Sequence, residues 1–176
     1  MLESLVAAVL GPDDSAPGAG EEAGDAADLY AGVGLFTLPL AQRHARVHAV
    51  ESEPAAAEFL AGNAERNRVR NVTVETASVE QAVARLPGGL ARIVVDPPRT
   101  GLSPPVRSAL LALAPRRLTY VSCDVATLAR DLKAMAAGFA LESLALLDLF
   151  PQTSHLEAVA QLRAVGPTPP GSVALG

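Results

Sequence analysis

The chain reads as an α/β fold, a mostly parallel sheet closed by a terminal antiparallel hairpin, and three observations predict it. Short apolar or β-branched runs alternate with longer helix-like segments through most of the 176 residues. Crossovers of that length make successive strands parallel and cover the sheet on both faces, leaving a ligand crevice at the carboxyl ends of the strands. The last two apolar runs, about 140–148 and 155–163, are joined only by Phe150-Pro151-Gln152-Thr153-Ser154, which is too short for a helix. They must pair antiparallel.

Residues 2–10 have apolar positions at helical spacing and stop at the breaker pair Gly11-Pro12, so a short amphipathic helix is expected. From Gly11 to Asp25 the chain is Gly, Pro, Ala and acidic residues, too poor in large apolar groups to pack, and reads as a mobile linker. Strands are expected at 26–29, 46–50, 72–76, 92–95 and 118–122, and helices at 35–43, 53–67, 79–85, 104–114 and 125–137. The expected organisation is a helix and acidic linker over 1–25, one domain over 26–165, and a frayed Pro/Gly tail over 166–176.

Hydrophobic residues make up 49% of the chain and aromatics only 3%, so the core must be built from Ala, Leu and Val. No apolar run is long enough to cross a bilayer and no secretory leader is visible, which points to a soluble protein without a membrane partner. One cysteine cannot form an internal disulfide or a cysteine-ligated metal site; a reducing cytoplasm is the expected setting, with no metal. The formal net charge of −5 is the wrong sign for holding a polyanion by charge alone. Any such grip must be local, and Arg99, Arg116, Arg117, Arg130 and Lys133 are expected near the active loops.

Gly32 and Gly34 follow the first strand and precede a helix, where the backbone turns sharply and a ligand can come close. A dinucleotide fingerprint would need glycine where Thr37 stands. Glu51 ends the second strand, where a carboxylate can accept both hydroxyls of a ribose. Asp96 closes the fourth strand and is followed by Pro97 and Pro98, which stiffen the loop over the sheet edge. Taken alone, Gly32 and Gly34 read more readily as a plain strand-to-helix turn and Glu51 as a surface acid, whereas the place of Asp96, immediately outside a central strand's carboxyl end, favours a site over a capping aspartate.

Cys123 ends the fifth strand, and Asp124 is a good N-cap for the following helix. The partial positive charge of a helix N-terminus favours a thiolate, although cysteine is also a common inert core residue. In the last strand, alternation puts Glu157 on the same face as His155, so both can point at one pocket. His155 reads equally as a strand-edge hydrogen bonder, and Arg99 as a phosphate holder or a pyrimidine-orienting group.

The runs Asp28-Leu29-Tyr30-Ala31-Gly32-Val33-Gly34, Asp96-Pro97-Pro98-Arg99, Ser122 to Asp131 and Phe150 to Glu157 resemble the catalytic domain of the S-adenosylmethionine-dependent RNA 5-methyluridine methyltransferases. The resemblance implies a class I, Rossmann-like methyltransferase fold, S-adenosyl-L-methionine as cofactor and an RNA substrate, tRNA or rRNA. It implies further that Cys123 adds to C6 of uridine as the nucleophile and that Glu157 is the base for the C5 proton. Tyr30, Gly32, Glu51 and Asp96 match the cofactor side, and Ser78 falls where an adenine contact is expected. One departure is Asp124-Val125, where the family usually has Asn-Pro; a second negative charge there opposes a thiolate. Family members normally carry an amino-terminal RNA-binding domain ahead of this region. The rival readings are a cofactor-binding remnant or fragment without turnover, and an amino-group methyltransferase using Asp96-Pro97-Pro98. The second would want an aromatic residue at Arg99 and would leave Cys123 idle. The oligomeric state is not assigned.

Overall fold

The computed structural model describes residues 2–11, 24–148 and 156–166. One sheet runs in the order β3-β2-β1-β4-β5-β7-β6, from β1 Ala26–Leu29, β2 Val47–Glu51, β3 Val72–Thr76, β4 Arg92–Val95, β5 Arg117–Ser122, β6 Phe139–Leu147 and β7 Glu157–Ala164. Strands β1 to β5 pair in parallel, and β7 runs antiparallel to both β5 and β6. The mostly parallel sheet with its terminal hairpin is the fold expected. Its reversed strand, however, is not the outermost one: β7 lies between β5 and β6. Burial explains this order, since Ala158 to Gln161 are buried whichever face they point to, whereas Leu141, Leu144 and Leu146 of β6 remain exposed. The strand apolar on both faces takes the inner position.

The helices are α1 Leu2–Leu10, α2 Thr37–Ala41, α3 Pro54–Arg66, α4 Val79–Ala82, α5 Pro104–Leu113 and α6 Val125–Met135. Two are shorter than their sequence patterns suggest. The helix expected over 35–43 contracts to α2, because the amides of Gln42 and Arg43 bond three residues back, to Pro39 and Leu40, and tighten the last turn. That expected over 79–85 is α4 followed by a 3₁₀ turn at Val83–Arg85.

The sheet divides the core in two. Helices α4, α5 and α6 cover the face carrying Leu29, Ile93, Val95, Leu118 and Tyr120, and α1 and α2 cover the face carrying Ala26, Val47, Val94, Val121 and Val159. Helix α1 was expected ahead of the domain, joined to it by a linker, yet it packs on the sheet through Leu5, Val9 and Leu10. Its free carbonyls hold it there: Gln161 Nε2 donates to Ala8 O at 2.6 Å and to Val9 O at 3.0 Å, and Thr119 Oγ1 donates to Val9 O at 3.3 Å. No helix among the described residues is long and apolar enough to cross a membrane.

Candidate active site

The carboxyl ends of β1, β2, β4 and β5 open on one edge of the sheet. Because β7 is reversed, its first residue, Glu157, arrives at that same edge.

Tyr30 leaves β1 with φ 65°, a left-handed conformation costly for a non-glycine residue. The turn is fixed on both sides, by Ala31 N donating to Val50 O at 3.0 Å and Gly34 N donating to Ala31 O at 2.9 Å. Gly32 has φ 54° and its amide donates to Glu51 Oε2 at 2.8 Å. The other oxygen of Glu51 accepts from Glu53 N at 2.7 Å and from Ser52 Oγ at 3.3 Å. Glu51 thus ties the glycine turn to the end of β2. A Cβ built on Gly32 would meet nothing within 4 Å, so the turn borders open space on its ligand side.

Beneath this turn lies a residue that the sequence reading passed over. Asp28 is fully buried, accepts from Thr37 Oγ1 at 2.6 Å, and its Oδ1 finds no hydrogen-bond partner among the described residues. Burial pushes its carboxyl up to about 7, with the charges of Asp96 and Glu51 adding to the rise and the Thr37 bond opposing it. A lone acid inside the otherwise apolar strand Ala26-Ala27-Asp28-Leu29 was the available signal.

Asp96 leaves β4 with its amide on Leu29 O at 3.3 Å. Its side chain reaches solvent, yet the surrounding protein strips enough water from the carboxyl to push it up to about 6, with Glu157 as the second cause. The loop that follows is clamped to α6 by Asp131, which is fully buried. Asp131 accepts from Leu102 N and Tyr120 Oη at 2.8 Å each, and it pairs with Arg107 at 2.8 Å and Arg130 at 2.9 Å. Gly101 makes the close approach possible: at φ 76°, a Cβ there would lie 2.3 Å from Thr127 Cγ2 and 2.4 Å from Asp131 Oδ2. The visible signal for Asp131 was a carboxylate in the buried stripe Leu128-Asp131-Met135 of α6.

Cys123 is half-buried, one residue ahead of the N-cap of α6. Asp124 caps as expected, its Oδ1 accepting from Thr127 N at 2.7 Å. These helix amides hold its carboxyl below the usual range, with a smaller contribution from Arg99. Ser122 pairs with Ala158 across β5 and β7, which makes Cys123 and Glu157 the next positions outward on the two strands. Cys123 and Glu157 are thereby brought together, and Asp96 lies near enough to Glu157 to feel its charge.

Other sequence-predicted residues are more scattered. Ser78 follows β3 and its Oγ accepts from Gln81 N at 3.4 Å as the N-cap of α4. Tyr30 borders a cavity of about 550 Å³ with Glu80, Pro98, Gly101, Ser103 and Arg130. Its hydroxyl is pushed up to about 12, first by burial and then by Glu80 and Asp131. Arg130 lies against the Asp96 loop, donating to Thr100 O at 2.9 Å. Arg116 and Arg117 do not: they sit where β5 begins, at the opposite end of the sheet, and Lys133 is in the last turn of α6. The expectation that these three lie near the active loops is corrected by chain direction: β5 begins, and α6 ends, away from them. His155 and the 150–154 connection are outside the described residues.

This strand order, with a glycine turn after β1 tied to the acid ending β2, defines a class I, Rossmann-like methyltransferase domain. Solved structures agree: tRNA (uracil-54, C5)-methyltransferase from Pyrococcus abyssi, in complex with S-adenosyl-L-homocysteine, is 32% identical with a TM-score of 0.74 over 92% of this chain and 36% of that one. TrmN from Thermus thermophilus shares the fold at 20% identity and a TM-score of 0.71, over 92% of this chain and 48% of that one. Residues 17–165 match the tRNA (Uracil-5-)-methyltransferase family, and the chain belongs to that family. Among curated relatives, 23S rRNA (uracil(1939)-C(5))-methyltransferase RlmD from Pectobacterium carotovorum is 47% identical over 76% of this chain and 30% of its own length. The RlmD of Klebsiella pneumoniae is 46% identical over 75% and 31%. The chain spans under a third of the length of these relatives.

Proposed function

We propose that this chain is the catalytic part of an enzyme that methylates C5 of uridine in RNA, with S-adenosyl-L-methionine as donor. The observation that carries the reading is the convergence of Asp96, Cys123 and Glu157 at one sheet edge, beside the glycine turn held by Glu51. The residues present suit the donor. Gly32 leaves open space at the turn, which a side chain there would project into. Glu51 has lone pairs left for ribose hydroxyls beyond the amides it already accepts. Asp96, ionised above a pH of about 6, offers a counter-charge to an ammonium group. When bound, the donor supplies an electrophilic methyl group to C5.

The chain's own residues supply the rest. The uracil ring is too electron-poor at C5 to take a methyl group unaided. A thiolate at Cys123 adds to C6, forming an S–C6 bond and moving the C5–C6 electron pair onto C5 and the O4 carbonyl. With C5 methylated, Glu157 removes the C5 proton, the C5–C6 double bond re-forms and the thiolate leaves. The proton ends on Glu157 and the cysteine is regenerated. Asp124 caps α6 through Oδ1, which accepts from Thr127 N, the same capping role that the usual asparagine can fill.

Ribosomal RNA is the first substrate to test, given the higher identity to the 23S rRNA enzymes. The assay is transfer of labelled methyl from S-adenosylmethionine, read as 5-methyluridine after nuclease digestion. Label in an exocyclic amino group instead would replace this reading with amine methylation.

A further inference from the structure

The Asp131 carboxylate joins more than the Asp96 loop and α6. Its Oδ2 accepts from Leu102 N in the loop and from the Tyr120 hydroxyl of β5, both at 2.8 Å. Its Oδ1 accepts from Arg107 of α5 at 2.8 Å and from Arg130 Nε at 3.0 Å. Each arginine then reaches back to the loop: Arg107 donates to Leu102 O, and Arg130 donates to Thr100 O at 2.9 Å. Burying a carboxylate is costly unless its lone pairs find donors, and here they do. The far end of the loop is tied separately, by Ser103 Oγ donating to Glu80 Oε1 at 2.9 Å.

Two of these ties flank the nucleophile. Tyr120 lies three residues before Cys123, in the strand that leads into it, and Asp131 lies in the helix that leads out. Loop and helix also close on each other at Gly101, whose missing side chain leaves room for Thr127 in the first turn of α6. The segment carrying Asp96 and the segments on either side of Cys123 therefore share one frame. Methyl transfer needs such a frame. The carbon held through the thiol and the donor held through Asp96 must meet in line, and a misplacement of about 1 Å costs on the order of a hundredfold in rate.

We propose that Arg130 and Asp131 are positioning residues for methyl transfer, bracing the Asp96 loop against the strand and helix that flank Cys123, a role that rests on the reading of Asp96 as the donor's counter-charge and Cys123 as the nucleophile. Asp131 is the hub and Arg130 the brace. Arg130 is the residue to substitute, since it is exposed and its loss leaves Asp131 with Leu102, Tyr120 and Arg107.

The test compares the wild type with Arg130→Gln, Arg130→Lys and Arg85→Gln. Arg85 is a matched control, an exposed arginine outside the loop and α6 that also donates to a carboxylate, Glu75, and to a carbonyl, Gln81 O. Thermal unfolding midpoints establish that each variant is folded. Three properties are followed: S-adenosylhomocysteine affinity by calorimetry, 5-methyluridine formation in ribosomal RNA at saturating S-adenosylmethionine, and the rate of iodoacetamide alkylation. Alkylation reports Cys123 alone, because the chain has one cysteine.

Arg130→Gln is expected to lower the saturated methylation rate by about ten- to a hundredfold, with the KM for RNA and the alkylation rate unchanged. It should also weaken S-adenosylhomocysteine binding by about three- to tenfold, because a loosened loop must be ordered again on binding. Arg130→Lys keeps a donor without the planar fork that spans Asp131 and Thr100, and should recover part of both losses. Arg85→Gln should match the wild type throughout. A folded Arg130→Gln that methylates at the wild-type rate overturns the proposal, as do losses equalled by Arg85→Gln. If the wild type binds S-adenosylhomocysteine but forms no 5-methyluridine, the uridine reading fails and affinity decides the brace: a loss of about three- to tenfold in Arg130→Gln upholds it, and equal affinities overturn it. A wild type that binds no cofactor overturns both.

Discussion

Within the single strand β5 the protein passes from Arg117, on an arginine-lined cavity, to Ser122 and then Cys123, beside the carboxylates of Asp96 and Glu157. The two ends are built differently. At the carboxyl end, loops carry the chemistry and hydrogen bonds accepted by carboxylates hold the loops: Glu51 ties down the glycine turn and the buried Asp131 the Asp96 loop. At the amino end, three of the arginines, Arg92, Arg117 and Arg163, stand on strands, and register brings them together. A net charge of −5 therefore does not tell where charged side chains gather along one sheet.

That contrast can be broken from the acid end. Asp131→Ala leaves the guanidinium of Arg107, mostly buried, without its carboxylate, and is expected to destabilise the fold by about 3–5 kcal/mol in urea unfolding. Gly101→Ala sets a methyl group against Thr127 and Asp131 at a positive φ and should cost on the order of 2–3 kcal/mol in the same measurement. Gly32→Ala sharpens the point. With open space around it, it should cost only about 1 kcal/mol of stability, yet it should weaken S-adenosylhomocysteine binding by about tenfold or more in calorimetry, because the new methyl group stands in the space at the turn that the cofactor would approach.

Smaller effects grade the cofactor side. Glu51→Ala should weaken S-adenosylhomocysteine binding by about 1–3 kcal/mol, the usual cost of losing hydrogen bonds to a charged group. Acidification should act through Asp96: below a pH of about 6 its carboxyl is neutral, the ammonium contact is lost, and affinity falls by up to about tenfold per pH unit. Asp96→Asn should remove that pH dependence. For folding the sign runs the other way. Asp96 and Asp28 are both raised, so their contribution is fully present below the ordinary carboxylate range and is lost as pH rises through about 6 and about 7 respectively. Asp28→Asn should accordingly gain stability relative to wild type at pH 8 and little at pH 4.

Much of the carboxyl end was legible because its signals are local. A glycine turn after a strand, an acid closing the next, and a cysteine ahead of an N-capping aspartate can each be read within a few residues. The inner position of β7 and the docking of α1 were not legible, since both depend on partners far along the chain, as with Gln161 reaching Ala8 and Val9. The arginine cavity was misread for the same reason. Arg116 and Arg117 are close in sequence to Cys123, and only the direction of β5 shows that they lie at its far end. Asp28 and Asp131 did leave a trace, an acid in a buried run, whose meaning depended on Thr37, Arg107 and Tyr120.

The claim on which the carboxyl end rests is that Cys123 becomes covalently bound to the pyrimidine. RNA containing 5-fluorouridine, incubated with the protein and S-adenosylmethionine, tests it directly, because fluorine at C5 cannot be removed as a proton and elimination is blocked. A denaturation-resistant protein–RNA adduct is expected, mapped by mass spectrometry to the peptide containing Cys123 and absent from Cys123→Ala. An adduct that survives Cys123→Ala, or 5-methyluridine formed by that variant at the wild-type rate, would contradict it.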